Sequence, residues 1–191
     1  MARIVVFQNV TLDGVMQAPG RQDEDTRGGF PYGGWASPYA DPEMGKAAGE
    51  SMSTTGGLLF GRRTYEDFYS VWPHRTDNPF TEVLNNSPKY VASNTLREPL
   101  PWMNSTLLKG DVPGAVYALK QQLDKDLVIL GSGQLIDQYT LLIHPLVLGT
   151  GNRLFRDGSS FSKLQLVDAR PTTTGVVIAT YQPAEQGAYD G

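Results

Sequence analysis

Residues Leu58 to Phe68 read Leu-Leu-Phe-Gly-Arg-Arg-Thr-Tyr-Glu-Asp-Phe. An apolar run meets a glycine, two cations and a threonine, and then a stretch of helical character. Such a strand passing directly into a helix commits a chain to an α/β sheet. Free backbone amides and the positive end of the helix dipole collect at the junction, where together they hold an anion such as phosphate. Gly61 allows close backbone approach, and Arg62 or Arg63 can fork onto phosphate oxygens. The same residues also suit an ordinary βα turn with solvated arginines.

Other segments fit the same architecture. Ile4-Val5-Val6-Phe7 and Leu127-Val128-Ile129-Leu130 are short apolar runs of the kind that parallel strands covered on both faces require. Lys89-Tyr90-Val91-Ala92 is a third strand candidate, and residues 105–108 are a fourth, at an edge. Residues 112–123 repeat Val116, Leu119 and Leu123 at helical spacing, residues 64–71 read as a helix ended by Pro73, and 43–54 as a weaker one with two glycines inside. Residues 80–84 suit one helical turn, and residues 139–148 and 175–181 are two late strands. Strands alternating with helices predict a mostly parallel sheet, and the strand-rich end predicts an antiparallel hairpin at one edge. Residues 17–42 form a long loop whose Phe30, Tyr32, Trp35 and Tyr39 favour an ordered wall or lid.

Composition narrows the function. With 191 residues, 40% of them apolar, the chain suits a single domain over 1–183 with a flexible tail at 184–191. The absence of cysteine excludes disulfides, thiolate chemistry and Cys-ligated metals, and the two histidines are far apart, so no metal site is expected. A net charge of −4 argues against nucleic acid as a partner. No apolar run is long enough to span a bilayer, and the N-terminus enters a strand at once, which predicts a cytoplasmic protein without a membrane partner.

Further strand ends carry polar turns. Ser93-Asn94-Thr95 follows Val91-Ala92 and could hold a ribose or 2′-phosphate, although Ser and Asn favour turns in any case. Gly131-Ser132-Gly133 follows Leu130, where paired glycines let a pyrophosphate lie against the backbone. The three-glycine fingerprint of a standard Rossmann site is missing. Asp13, in Leu12-Asp13-Gly14, sits just past the first strand and could touch substrate, brace the loop or simply form an Asp-Gly turn. Asp41 and Glu43 open a helix, where acidic residues occur for electrostatic reasons but could also donate a proton. His144, before Pro145 in an apolar run, reads as a core or edge histidine, and Trp72 and Trp102 as packing residues. Trp35 is the aromatic most suited to meet a ligand.

Taken in order, Thr11-Leu12-Asp13-Gly14, Gly33-Gly34-Trp35, Leu59-Phe60-Gly61-Arg62-Arg63-Thr64-Tyr65, Pro88 to Ser93, Leu130 to Gly133, Ile143 to Gly149 and Arg153-Leu154-Phe155 give nearly the whole chain a resemblance to the dihydrofolate reductase-like superfamily. More closely, the chain resembles stand-alone relatives of the reductase domain of the riboflavin-biosynthesis deaminase-reductase. The resemblance implies a three-layer α/β/α fold, a homodimer and NADPH as hydride donor. It puts Gly61, Arg62, Arg63 and Thr64 at the cofactor phosphates and nicotinamide side, Ser93 and Asn94 near the 2′-phosphate, and Gly131, Ser132 and Gly133 under the pyrophosphate. The expected reaction is hydride transfer to a small heterocyclic or imine-like substrate, a ribosylamino-pyrimidine or a pterin. Asp13, Trp35 and Tyr65 would contact that substrate, and Asp13, Asp41 or an ordered water would deliver the proton. A non-catalytic nucleotide or heterocycle binder on the same fold is the alternative, and a structural dimerisation module a third.

One segment departs from the family pattern. Relatives carry a helix of about a dozen residues after the Gly-Ser-Gly turn, as a parallel crossover needs. Here only Gln134 to Gln138 lead to the next strand. The expectation is that a crossover segment is missing between about Gln134 and Asp137, the alternative being that this protein has lost it.

Overall fold

A computed structural model describes residues 2–78, 80–130, 136–159 and 161–184. Eight strands follow one another along the sheet in the order β4-β3-β2-β5-β1-β6-β8-β7. They are β1 (Ile4–Thr11), β2 (Thr55–Gly61), β3 (Lys89–Ala92), β4 (Ser105–Leu108), β5 (Asp126–Ile129), β6 (Gln138–His144), β7 (Leu164–Pro171) and β8 (Val177–Pro183). The β1–β5, β5–β2, β2–β3 and β3–β4 ladders are parallel, and β6–β8 and β8–β7 are antiparallel, as the sequence predicts. The helices are α1 (Pro42–Ser53), α2 (Arg62–Val71), α3 (Phe80–Asn86) and α4 (Val112–Gln122). Only residues 130–137 join β5 to β6. The segment expected to be missing, between about Gln134 and Asp137, falls there, and its first half lies outside the described residues.

The chain divides into two compact units. The first comprises residues 1–6 and 49–136. Its strands β2 and β5 are buried on both faces, and Leu58, Leu127 and Val128, with Val91 of β3, are fully buried. In α2, Tyr65, Phe68, Tyr69 and Trp72 recur at the i, i+3, i+4, i+7 spacing that puts them on one face. Phe60 of β2 packs against Tyr65, Phe68 and Trp102. Lys89, at the start of β3, is completely buried, and its ammonium donates to the carbonyls of Asn85, Ser87 and Met103 and lies 4.6 Å from the Trp102 ring centroid. These acceptors allow a charge to sit there at all. Burial still lowers its pKa to about 8.

The second unit comprises residues 7–48 and 137–191. Ala47 of α1 packs on Leu142 of β6 and Val176 and Ile178 in and beside β8, with Phe7, Tyr39 and Met44 around them. A second cluster gathers Val15, Ala18, Phe30, Trp35 and Ala36. The long loop is therefore ordered around its own core. Gln17 organises it: its amide donates to the Asp25 and Arg27 carbonyls and accepts the Asn152 amide, while its main-chain carbonyl takes the Trp35 indole N–H. Strand β6 stops at His144, so Pro145 lies just outside it. Strand β7 carries little sequence signal, because it is exposed along most of its length and its Leu164-Gln165-Leu166 alternation breaks off at Val167.

Candidate functional site

The strand-to-helix junction is built as its residues predict. Strand β2 ends at Gly61 and α2 begins at Arg62, with no side chain capping the helix. Gly61 has φ −76°, which any residue adopts, and a Cβ placed there meets, among the described residues beyond its chain neighbours, no atom within 4 Å. Nothing among the described residues requires a glycine at that position. Gly57, on the same strand, differs: a Cβ there would lie 2.7 Å from the Tyr90 ring. Arg63 is exposed, and Arg62 makes only an exposed i,i+4 pair with Glu66 at 3.2 Å, which holds it weakly.

The neighbouring strands end level with β2. Gly61 is opposite Ala92, and Ala92 is opposite Leu108. Arg62 and Ser93 thus leave adjacent strand ends at the carboxyl edge, where open α/β sheets place ligands. The Ser93 hydroxyl accepts the amides of Thr95 and Leu96, each at 3.1 Å, and shapes the turn. Asn94 accepts the Gly110 amide through Oδ1, which leaves its Nδ2 hydrogens available. Gly131, Ser132 and Gly133 lie outside the described residues.

Both candidate acids are committed to the fold. Asp13 accepts the Thr11 hydroxyl at 2.6 Å, the Gly149 amide at 2.8 Å and the Leu148 amide at 3.2 Å, with Arg153 3.5 Å away. Partial burial raises its pKa, but the hydrogen bonds from Thr11, Gly149 and Leu148 outweigh it and bring the value down to about 2. Asp41 accepts the Thr173 hydroxyl, the Thr173 amide at 3.0 Å and the Glu43 amide at 2.9 Å. The Thr173 hydroxyl and Glu43 amide lower its pKa. Each is a carboxylate at neutral pH, and each braces a turn.

Two expected substrate contacts need correction. Tyr65 is 1% exposed, and its phenol oxygen accepts the Trp102 amide at 3.0 Å, so it is a packing residue of the first unit. Its helical spacing with Phe68, Tyr69 and Trp72 is the signal for that. Trp35 lies in the core of the long loop, its indole N–H donating to Gln17 at 2.7 Å, so it does not present a stacking face. The structure adds Asn9, a half-buried residue of β1 whose Oδ1 lies 2.9 Å from Nε2 of the fully buried His144. The interruption of an apolar strand by Gln8-Asn9 is its only trace in the sequence. Burial lowers the His144 pKa to about 4. Among the described residues no group of three His, Asp or Glu side chains could hold a metal ion, and no helix is long and apolar enough to cross a membrane.

A family model described as the RibD C-terminal domain matches residues 2–178. The Bacillus subtilis (strain 168) protein YyaP is 28% identical over 196 aligned positions, covering 94% of both chains. A putative riboflavin biosynthesis protein from Shewanella sp. PV-4 superposes with a TM-score of 0.72 at 24% identity, covering 96% of this chain and 99% of that one. Dihydrofolate reductase from Enterococcus faecalis, complexed with NADP(H) and RAB-propyl, superposes with a TM-score of 0.61 at 14% identity over 96% of this chain and 97% of its own. The fold is dihydrofolate reductase-like.

Proposed function

The chain belongs to the RibD C-terminal domain family, and on that premise we propose that it is an NADPH-dependent reductase of a small heterocycle. The observation that carries the reading is the uncapped start of α2 behind Gly61, a glycine that neither its backbone angle nor crowding among the described residues demands. Close approach of a phosphate from outside accounts for it. Arg62, Arg63 and the amide of Thr64 would hold that phosphate, and Asn94 Nδ2 would face the adenosine side. Gly131, Ser132 and Gly133 remain the proposed seat of the pyrophosphate.

When bound, NADPH supplies a hydride for an electrophilic carbon. The family and the riboflavin-biosynthesis neighbour favour a 5-amino-6-(5-phosphoribosylamino)uracil-like pyrimidine, with a pterin as the other candidate. Asp13 and Asp41 are ionised, so the proton comes from water. The exposed Leu166 and Val167 of β7 support a homodimer, and a cytoplasmic location suits NADPH supply. The test is to mix the protein with NADPH and a panel of pyrimidines and pterins while following absorbance of the reduced nicotinamide. Substrate-dependent loss of that signal supports the reductase. The engagement of both candidate acids elsewhere favours a second reading, a non-catalytic heterocycle binder, which would bind the panel without oxidising NADPH.

A further inference from the structure

Asn9 and His144 form a pair with no part in phosphate binding. The Asn9 oxygen can only accept, so His144 Nε2 carries the proton in their 2.9 Å hydrogen bond. Nδ1 then keeps its lone pair, and that atom is buried without a partner among the described residues. The imidazole meets the rings of Trp35 and Tyr39 edge-on, at centroid distances of 5.1 and 5.5 Å and interplanar angles of 89° and 87°. Those contacts fix its plane. The imidazole in turn fixes the carboxamide: with Oδ1 held, Asn9 Nδ2 carries its hydrogens away from the histidine.

The pair is expensive for what it does in packing. Burying a half-satisfied imidazole opposes folding, whereas Leu142 and Ile178, paired across β6 and β8, show how apolar residues serve the same unit. Asn9 shares a strand face with Phe7. It also lies beyond Val6, where the register of β1 with β5 ends. What the arrangement achieves is a half-buried donor of fixed direction in the central strand, near its carboxyl end.

We propose that His144 is a positioning residue for Asn9, and that Asn9 Nδ2 donates a hydrogen bond to an amide-type carbonyl oxygen of a bound heterocycle. This rests on the reductase reading above. Such a carbonyl is present both on the nicotinamide of the cofactor and on a pyrimidine or pterin substrate. A neutral donor selects a neutral oxygen acceptor and disfavours an N–H group in the same place.

Calorimetric titration of three probes tests this: NADPH, 2′-phospho-ADP-ribose (which lacks the nicotinamide) and 5,6-diaminouracil. Wild type is compared with Asn9→Leu and Asn9→Asp. The aspartate keeps an acceptor for His144 and the side-chain shape, but replaces the outward donor with an oxygen. The expected result is loss of about tenfold in affinity for the probe whose carbonyl Asn9 meets. Loss confined to NADPH, with 2′-phospho-ADP-ribose unchanged, assigns the carbonyl to nicotinamide; loss for diaminouracil assigns it to substrate. His144→Gln, which can still donate to Asn9, should retain more affinity than His144→Phe. Equal affinities of wild type and Asn9→Asp for every probe that binds would overturn the inference. Nitrogen-15 spectra of histidine-labelled protein give an independent readout: an Nε2–H tautomer supports the aim, and an Nδ1–H tautomer overturns it whatever binds. A wild type that binds diaminouracil but not NADPH overturns the reductase reading and leaves the diaminouracil arm to decide this one; a wild type that binds no probe overturns both.

Discussion

The Asp13 carboxylate accepts the backbone amide of Gly149 at 2.8 Å, tying the turn after β1 to the segment beyond β6. The tie depends on charge. A folded pKa of about 2 lies below the ordinary 3.8, so its stabilisation is complete above that ordinary value and is lost as pH falls toward 2. The side chain is 18% exposed, close enough to solvent that we expect about 1–2 kcal/mol. Urea unfolding of Asp13→Asn should show that loss near neutral pH and a flatter acid limb than wild type. If Asp13→Asn instead kept full stability and lost turnover at saturating NADPH, Asp13 would be a catalytic group and not a brace.

His144 acts in a different window and with the opposite charge logic. Its folded pKa of about 4 lies below the ordinary 6.5, so the unfolded chain takes up the proton first. Stability is unaffected above 6.5 and falls as pH drops from there to about 4, by about 3 kcal/mol in total. Roughly two-thirds of that should be gone by pH 5, before the Asp13 tie begins to fail. Denaturant midpoints across this range should show the step in wild type, and its absence in a folded His144→Gln variant.

The parallel core is legible in the sequence because it is local. Leu58 to Phe60 and Leu127 to Ile129 are unbroken apolar runs, and only strands covered on both faces want them. The junction at Gly61 to Thr64 is legible for the same reason, since strand end, glycine and helix start are consecutive. Asp13 and Asp41 can be placed at a strand end and a helix start, but nothing in the sequence shows that Gly149 and Thr173 arrive to engage them. Asn9 is hidden similarly, its partner lying 135 positions away. Strand β7 escapes because the alternation of Leu164, Gln165 and Leu166 stops at the adjacent Val167, and the polar Asp168 and Arg170 follow, so no period of two is sustained.

Tyr65→Phe separates packing from ligand contact. Removing the phenol oxygen leaves the Trp102 amide buried without an acceptor, at a cost of about 1–3 kcal/mol. The ring itself, packed against Phe60 and Trp102, is retained. We expect a lower denaturation midpoint with an unchanged m-value and unchanged NADPH affinity. A variant of wild-type stability with weakened substrate affinity would restore Tyr65 to the binding surface.

Gly61→Ala is the sharpest test of the phosphate junction, because the fold should not notice it. The backbone angle of −76° suits alanine, and the added methyl meets, among the described residues beyond its chain neighbours, no atom within 4 Å. Stability should stay within about 0.5 kcal/mol of wild type. A phosphate drawn against the α2 amides would meet that methyl, so NADPH affinity should drop by about tenfold or more. Gly57→Ala provides the contrast: its methyl would sit 2.7 Å from the Tyr90 ring and 3.4 Å from Leu127, and overpacking of that kind costs about 1–3 kcal/mol. Thermal melts and NADPH titrations of the two variants should therefore separate cleanly. Position 61 should lose ligand at constant stability, and position 57 should lose stability first. NADPH affinity unchanged in Gly61→Ala would mean that the anion is held elsewhere, and the uncapped helix start would be an ordinary βα turn.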